Sequence, residues 1–116
     1  MKRICLTGAI AALSLIGAQT AASQSVESFY KGSSLTLLIG SGAGGGYDTY
    51  SRILARHMGR HIPGNPGIVP KNMPGGASIK AANYTWNVAP RGGSVFTAVF
   101  NTLPFAPIVG QKGPKF

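Results

Sequence analysis

Acidic residues are almost missing from this 116-residue chain: Glu27 and Asp48 stand against eleven Lys and Arg. Two carboxylates so placed cannot form the acid–base pair that hydrolytic chemistry needs. Cysteine is as scarce. Cys5 is the only one and lies near the N-terminus, so a mature chain that has lost it has no disulfide and no thiolate chemistry. The longest apolar run, Ile4 to Gly17, falls short of a membrane span. Serine, histidine and acid never occur together in a nucleophile setting such as G-x-S-x-G. No catalytic constellation is left, and the chain is not expected to be an enzyme.

What the N-terminus does have is an export leader. Met1-Lys2-Arg3 is a short basic start, Ile4 to Gly17 is uncharged, and small residues follow at Ala18, Ala21, Ala22 and Ser23. This is the pattern of a cleavable signal peptide over 1–22, cut after Ala22 or Ser23, which sends the chain to the periplasm. Cys5 leaves with it. Loss of Lys2 and Arg3 lowers the formal charge from +9 to +7. The remaining basic residues are spread singly from Lys31 to Lys115. A solvated basic surface explains them better than a polyanion, so nucleic acid is not an expected partner.

Residues 23–33 read as a polar lead-in and 34–116 as one α/β unit. Leu35-Thr36-Leu37-Leu38-Ile39 shows little alternation, as a strand covered on both faces does. It ends in Gly40-Ser41-Gly42-Ala43-Gly44-Gly45-Gly46-Tyr47-Asp48 and enters a helical pattern. Over 48–58 one stripe, Tyr50, Ile53, Leu54, His57 and Met58, is expected to be buried, with Arg52, Arg56 and Arg60 on a solvated face. Gly59 is a plausible stop. Ile68 to Met73, interrupted by Pro70, predicts an edge strand. A second helix over 77–88, with Trp86 as a core anchor, ends before Pro90, and Ser94 to Phe100 is the third strand. The order β-α-β-α-β with short right-handed crossovers implies a parallel sheet whose strand-exit loops, 40–48, 73–78 and 101–104, share one edge.

That edge is where a ligand is expected. A strand that passes through glycines into a helix clusters unpaired amides at the positive end of the helix dipole, an arrangement suited to a carboxylate or phosphate. Gly44, Gly45 and Gly46 let backbone amides reach the anion, unless they only make a sharp turn. Tyr47 either closes over the ligand or covers the loop. Asp48 reads chiefly as structural, orienting the loop amides from the first helical turn. Gly75, Gly76 and Ser78 make a second anion-accepting turn or a plain loop capped by Ser78, while Asn101 and Thr102 lie at the third exit. His57 and His61 are four apart with Gly59 between them, and neither a metal nor any other cofactor is expected.

Gly40-x-Gly42-x-x-Gly45 also matches the dinucleotide fingerprint G-x-G-x-x-G. That mechanism needs an acidic residue about twenty positions on to hold the ribose. No Asp or Glu follows Asp48. A nucleotide- or phosphate-binding domain is therefore the second reading.

Leu37-Leu38-Ile39-Gly40, Gly44-Gly45-Gly46-Tyr47-Asp48 and Ser51-Arg52-Ile53-Leu54-Ala55-Arg56, in that order, resemble the opening of tripartite tricarboxylate transporter substrate-binding proteins, the Bug family of extracytoplasmic solute receptors. Asn72-Met73-Pro74-Gly75-Gly76 is similar to the family's Asn-x-Pro-Gly loop, and Ala89-Pro90-Arg91-Gly92-Gly93 to its Ala-Pro-x-Asp-Gly turn, with Gly92 in place of Asp. The resemblance implies the first lobe of a type II periplasmic-binding-protein fold and a small carboxylate ligand. It also implies membrane permease subunits as partners and a monomeric receptor. Ligand contacts would come from Gly44, Gly45, Gly46, Tyr47, Asp48, Gly75, Gly76, Asn101 and Thr102. Family members are two-lobed and about three times longer, so the chain is expected to be a truncated copy lacking the second lobe, or a fragment without function.

Overall fold

A computed structural model describes residues 25–116; the leader expected at 1–22 lies outside the described residues. Three strands, β1 (Ser34–Ile39), β2 (Gly67–Asn72) and β3 (Val95–Ala98), form one sheet in the order β2-β1-β3. Both pairings are parallel, with Ile39 opposite Asn72 on one side and Ala98 on the other. The chain is thus a mixed α/β unit of the β-α-β-α-β kind, with helices flanking a parallel sheet. β1 is central, and Leu35, Leu37, Leu38 and Ile39 are all buried, which is why its sequence does not alternate. Pro70 sits in β2, an edge strand where a missing amide breaks no outer ladder.

Helix α1 (Val26–Tyr30) falls within the segment read as lead-in. Ser25 caps it by accepting from the Ser28 amide at 3.1 Å, and Glu27 lies in its first turn. So short an element shows no hydrophobic period and leaves no sign in the sequence.

Helix α2 (Gly46–Met58) crosses from β1 to β2, and a 3₁₀ turn over Gly59–His61 continues it past the expected stop. It presents small residues to the sheet: Asp48, Ser51 and Ala55 are buried. Ala55 packs with Leu37 and Ile39, flanked by Ile68, Phe96 and Ala98. The stripe expected to be buried is turned outward instead. Tyr50 is 77% exposed, and Ile53 and Leu54 are about half exposed. Spacing alone could not separate two stripes on one helix; the small side chains win because they allow the closer approach to β1 and β2.

Helix α3 (Ile79–Asn87) covers the opposite face of the sheet. Ile79 and Ala81 are buried, and the hydroxyls of Thr85 and Thr97 are bonded to each other. Trp86 is not a core anchor. It is 58% exposed, with the Arg91 guanidinium 5.9 Å from its ring centroid. Beyond β3, Leu103 and Ala106 are buried and the tail runs back along α3. Asn83 donates to the Gly113 carbonyl at 2.8 Å and accepts from the Lys115 amide at 2.7 Å, while Asn87 donates to the Lys115 carbonyl at 3.0 Å.

Candidate functional site

Because all strands run the same way, the three exit loops do meet on one edge. The ladder continues one residue past the strands there: the Gly40 amide donates to Ala98 at 2.8 Å and the Met73 amide to Ile39 at 2.8 Å. Gly45 is the N-cap of α2, in an extended conformation and without a side chain to accept. The first helical bond runs from the Thr49 amide to the Gly45 carbonyl at 2.9 Å. The amides of Gly46, Tyr47 and Asp48 therefore find no acceptor among the described residues, while Gly45 closes the turn that begins at Gly42.

Gly44 is different. Its amide donates to Asp48 Oδ2 at 2.9 Å, so it orders the loop and is not free for a ligand. Its φ of +83° also demands glycine. At Gly42 and Gly46 a Cβ would meet nothing within 4 Å, so the protein's own packing does not require glycine there. The open side of the loop faces outward. Clefts of about 390, 340 and 260 Å³ run along helix–sheet seams away from this loop.

Asp48 holds the loop from beneath. It is 4% exposed and accepts four hydrogen bonds from three groups: Arg52 Nε reaches both oxygens at 3.0 Å, Asn72 Nδ2 reaches Oδ1 at 2.8 Å, and the Gly44 amide reaches Oδ2. The Arg52 hydrogen bond, then those of Gly44 and Asn72, lower its pKa from 3.8 to about 2, against the cost of burial. The carboxylate stays charged and its charge is matched by Arg52. It thus repels an incoming anion much less than a free carboxylate would.

Asn72 completes the frame. Its Nδ2 also donates to the Ser41 carbonyl at 3.0 Å, and its Oδ1 accepts from Arg52 Nη2 at 2.7 Å. The end of β2 is thereby tied to the beginning and end of the glycine loop. Arg52, expected on a solvated face, is 40% exposed and committed to this network. Sequence reasoning gave neither residue a role. The i,i+4 spacing of Asp48 and Arg52 was a legible signal; the contact from Asn72 depends on strand order and was not.

The second loop departs most from ordinary backbone. Gly75, Gly76, Ala77 and Ser78 have φ of +144°, +53°, +49° and +76°. A Cβ on Gly75 would come within 3.2 Å of the Lys80 side chain, so conformation and space both call for glycine at that position. Ser78 occupies the N-cap position of α3, but its hydroxyl makes no capping bond, and the residue is fully buried. The hydroxyl instead donates to the Gly40 carbonyl at 3.2 Å and accepts from the Phe100 amide at 3.0 Å.

At the third loop, Tyr47 reaches across from α2. Its hydroxyl donates to Asn101 Oδ1 at 3.1 Å and accepts from the Asn101 amide at 3.4 Å. Its ring lies against Phe100 with centroids 4.6 Å apart. Thr102 is exposed and precedes the 3₁₀ turn Leu103–Phe105 without capping it. Gly45, Gly46, Tyr47 and Asn101 thus share one surface, with Asp48 below it and Gly75 and Gly76 in the neighbouring turn. Compared with known protein families, curated proteins and solved structures, the chain finds no significant match.

Proposed function

We propose that this chain is an extracytoplasmic solute-binding protein, in whole or in part. It takes a small carboxylate at the N-terminus of α2 for a tripartite tricarboxylate-type permease. One observation carries the reading: three successive amides, Gly46 to Asp48, find no acceptor among the described residues at a strand exit where the nearest carboxylate is neutralised by Arg52. Amides and helix dipole together favour an anion there. The Asn101 amide and side chain on the adjoining surface suit a second oxygen of the same ligand, displacing the Tyr47 hydroxyl. The resemblance of the ordered motifs to the receptor family, and the leader pattern before them, favour a carboxylate among anions and the periplasm among compartments.

The nucleotide alternative receives less support. The end of β2, where a ribose-binding carboxylate belongs, carries Asn72, and its side chain is fully committed to Ser41, Asp48 and Arg52. Titration calorimetry of the full chain discriminates between them. Heat with citrate, malate or succinate and none with NAD or ATP is the expected result; heat with the nucleotides alone overturns it.

A further inference from the structure

In a regular parallel ladder, a residue whose amide donates to one partner carbonyl accepts, through its own carbonyl, from the partner amide two residues on. Gly40 obeys the first half, since its amide donates to Ala98 at 2.8 Å. The second half should be a bond from the Phe100 amide to the Gly40 carbonyl. That bond is absent. The Ser78 hydroxyl stands in its place, accepting from the Phe100 amide at 3.0 Å and donating to the Gly40 carbonyl at 3.2 Å. A third element has been driven between two strands at the last rung before they leave the sheet.

Space and backbone have both been arranged for this insertion. A Cβ on Gly40 would lie 2.6 Å from the Ser78 Cβ, so the missing side chain at Gly40 is what admits the serine. Ser78 reaches its place only from a left-handed backbone, φ +76°, at the end of four consecutive residues with positive φ. Two of those four are not glycine, so the conformation is held against an intrinsic cost. A serine whose task was to cap α3 would need neither burial nor this backbone, and its hydroxyl does not cap.

The consequences fall on both sides of the candidate site. Gly40 begins the glycine loop. Phe100 is followed by Asn101 and lies against the Tyr47 ring. The geometry points to Ser78 as a positioning residue. Its hydroxyl is a wedge that keeps the β1 and β3 exits one hydroxyl apart, and so sets the distance between the α2 amides and Asn101. Without the wedge, the Phe100 amide closes directly onto Gly40, and Asn101 moves towards the glycine loop. The wedge itself is independent of any ligand; its bearing on affinity rests on the anion-site reading above.

NMR of the isotopically labelled full chain tests the two parts separately. The wild type is expected to show no scalar coupling across a hydrogen bond from the Phe100 nitrogen to the Gly40 carbonyl carbon. Ser78→Gly, which removes the hydroxyl and accepts the left-handed backbone, is expected to gain that coupling and to shift the Asn101 amide and the Tyr47 ring signals. A direct coupling already present in the wild type, or Asn101 and Tyr47 signals unmoved in the variant, overturns the wedge. Ser78→Ala serves for the same comparison if the glycine variant does not accumulate. Citrate titration of the same samples is expected to show affinity lowered about tenfold by Ser78→Gly, the equivalent of one mispositioned hydrogen bond. Equal affinity refutes the positioning role. Failure of the wild type to bind citrate counts against the anion site, while the coupling still decides the wedge.

Discussion

Replacing Gly46 by proline separates ligand binding from folding at a single atom. Gly46 is the first helical residue of α2, the position where proline is best tolerated because its amide has no helical acceptor. Gly45 before it is extended, with ψ 169°, as a residue preceding proline must be. A Cβ at Gly46 meets nothing within 4 Å. The substitution therefore removes one free amide hydrogen and otherwise fits the backbone. A hydrogen bond to a charged group contributes about 1.5–3 kcal/mol. Since about 1.4 kcal/mol is a factor of ten in Kd, affinity for the carboxylate should fall at least tenfold. Stability should move the other way, by about +0.4–1 kcal/mol, because proline restricts the unfolded chain. Calorimetric titration with citrate, malate and succinate, paired with urea unfolding, measures both. Unchanged affinity in a folded variant would refute the reasoning, since it would mean that the Gly46 amide does not face the ligand.

Other consequences are equally accessible. The Asp48 pKa is lowered in the folded chain, so its contribution to stability is complete above 3.8 and is lost as pH falls through about 2. Asp48→Asn should unfold more easily than the wild type at pH 6, with the gap closing below pH 3; a constant gap across an acid titration would contradict this. Ala77→Gly relieves a φ of +49° and should stabilise by about 0.5–1 kcal/mol after glycine's own entropy cost, read from the urea midpoint. Tyr50→Lys with Leu54→Lys removes apolar surface that already faces solvent, so self-association by light scattering should decrease while the unfolding midpoint holds. A large drop in that midpoint would show that the stripe is packed.

Much of the architecture could be read from local pattern. The unbroken apolar run Leu35–Ile39 marks a central strand, Pro70 marks an edge, and three glycine- or asparagine-bearing exits follow from parallel order. Features decided by long-range contacts could not. The orientation of α2 depends on Ser51 and Ala55 allowing close approach, and spacing alone favoured the bulkier Tyr50, Ile53 and Leu54. Trp86 is large and apolar, yet α3 is anchored by Ile79 and Ala81, and the indole is left to Arg91. Within the site, the glycine loop is evident as sequence. Its supports are not: Asn72 acts from 24 residues beyond Asp48, and Ser78 from 38 residues beyond Gly40. A serine before a helix suggests a cap, and only the neighbouring strands reveal that its hydroxyl is spent between them.

The central claim is that the bare amides opening α2 receive a carboxylate. Amide chemical-shift mapping of the full chain during titration with citrate, malate and succinate tests it most directly. The account predicts saturable downfield shifts concentrated at Gly46, Tyr47 and Asp48, with Asn101 moving as it exchanges the Tyr47 hydroxyl for the ligand. Shifts centred elsewhere, such as around Arg56 or Arg91, or none with any of the three acids, would contradict it.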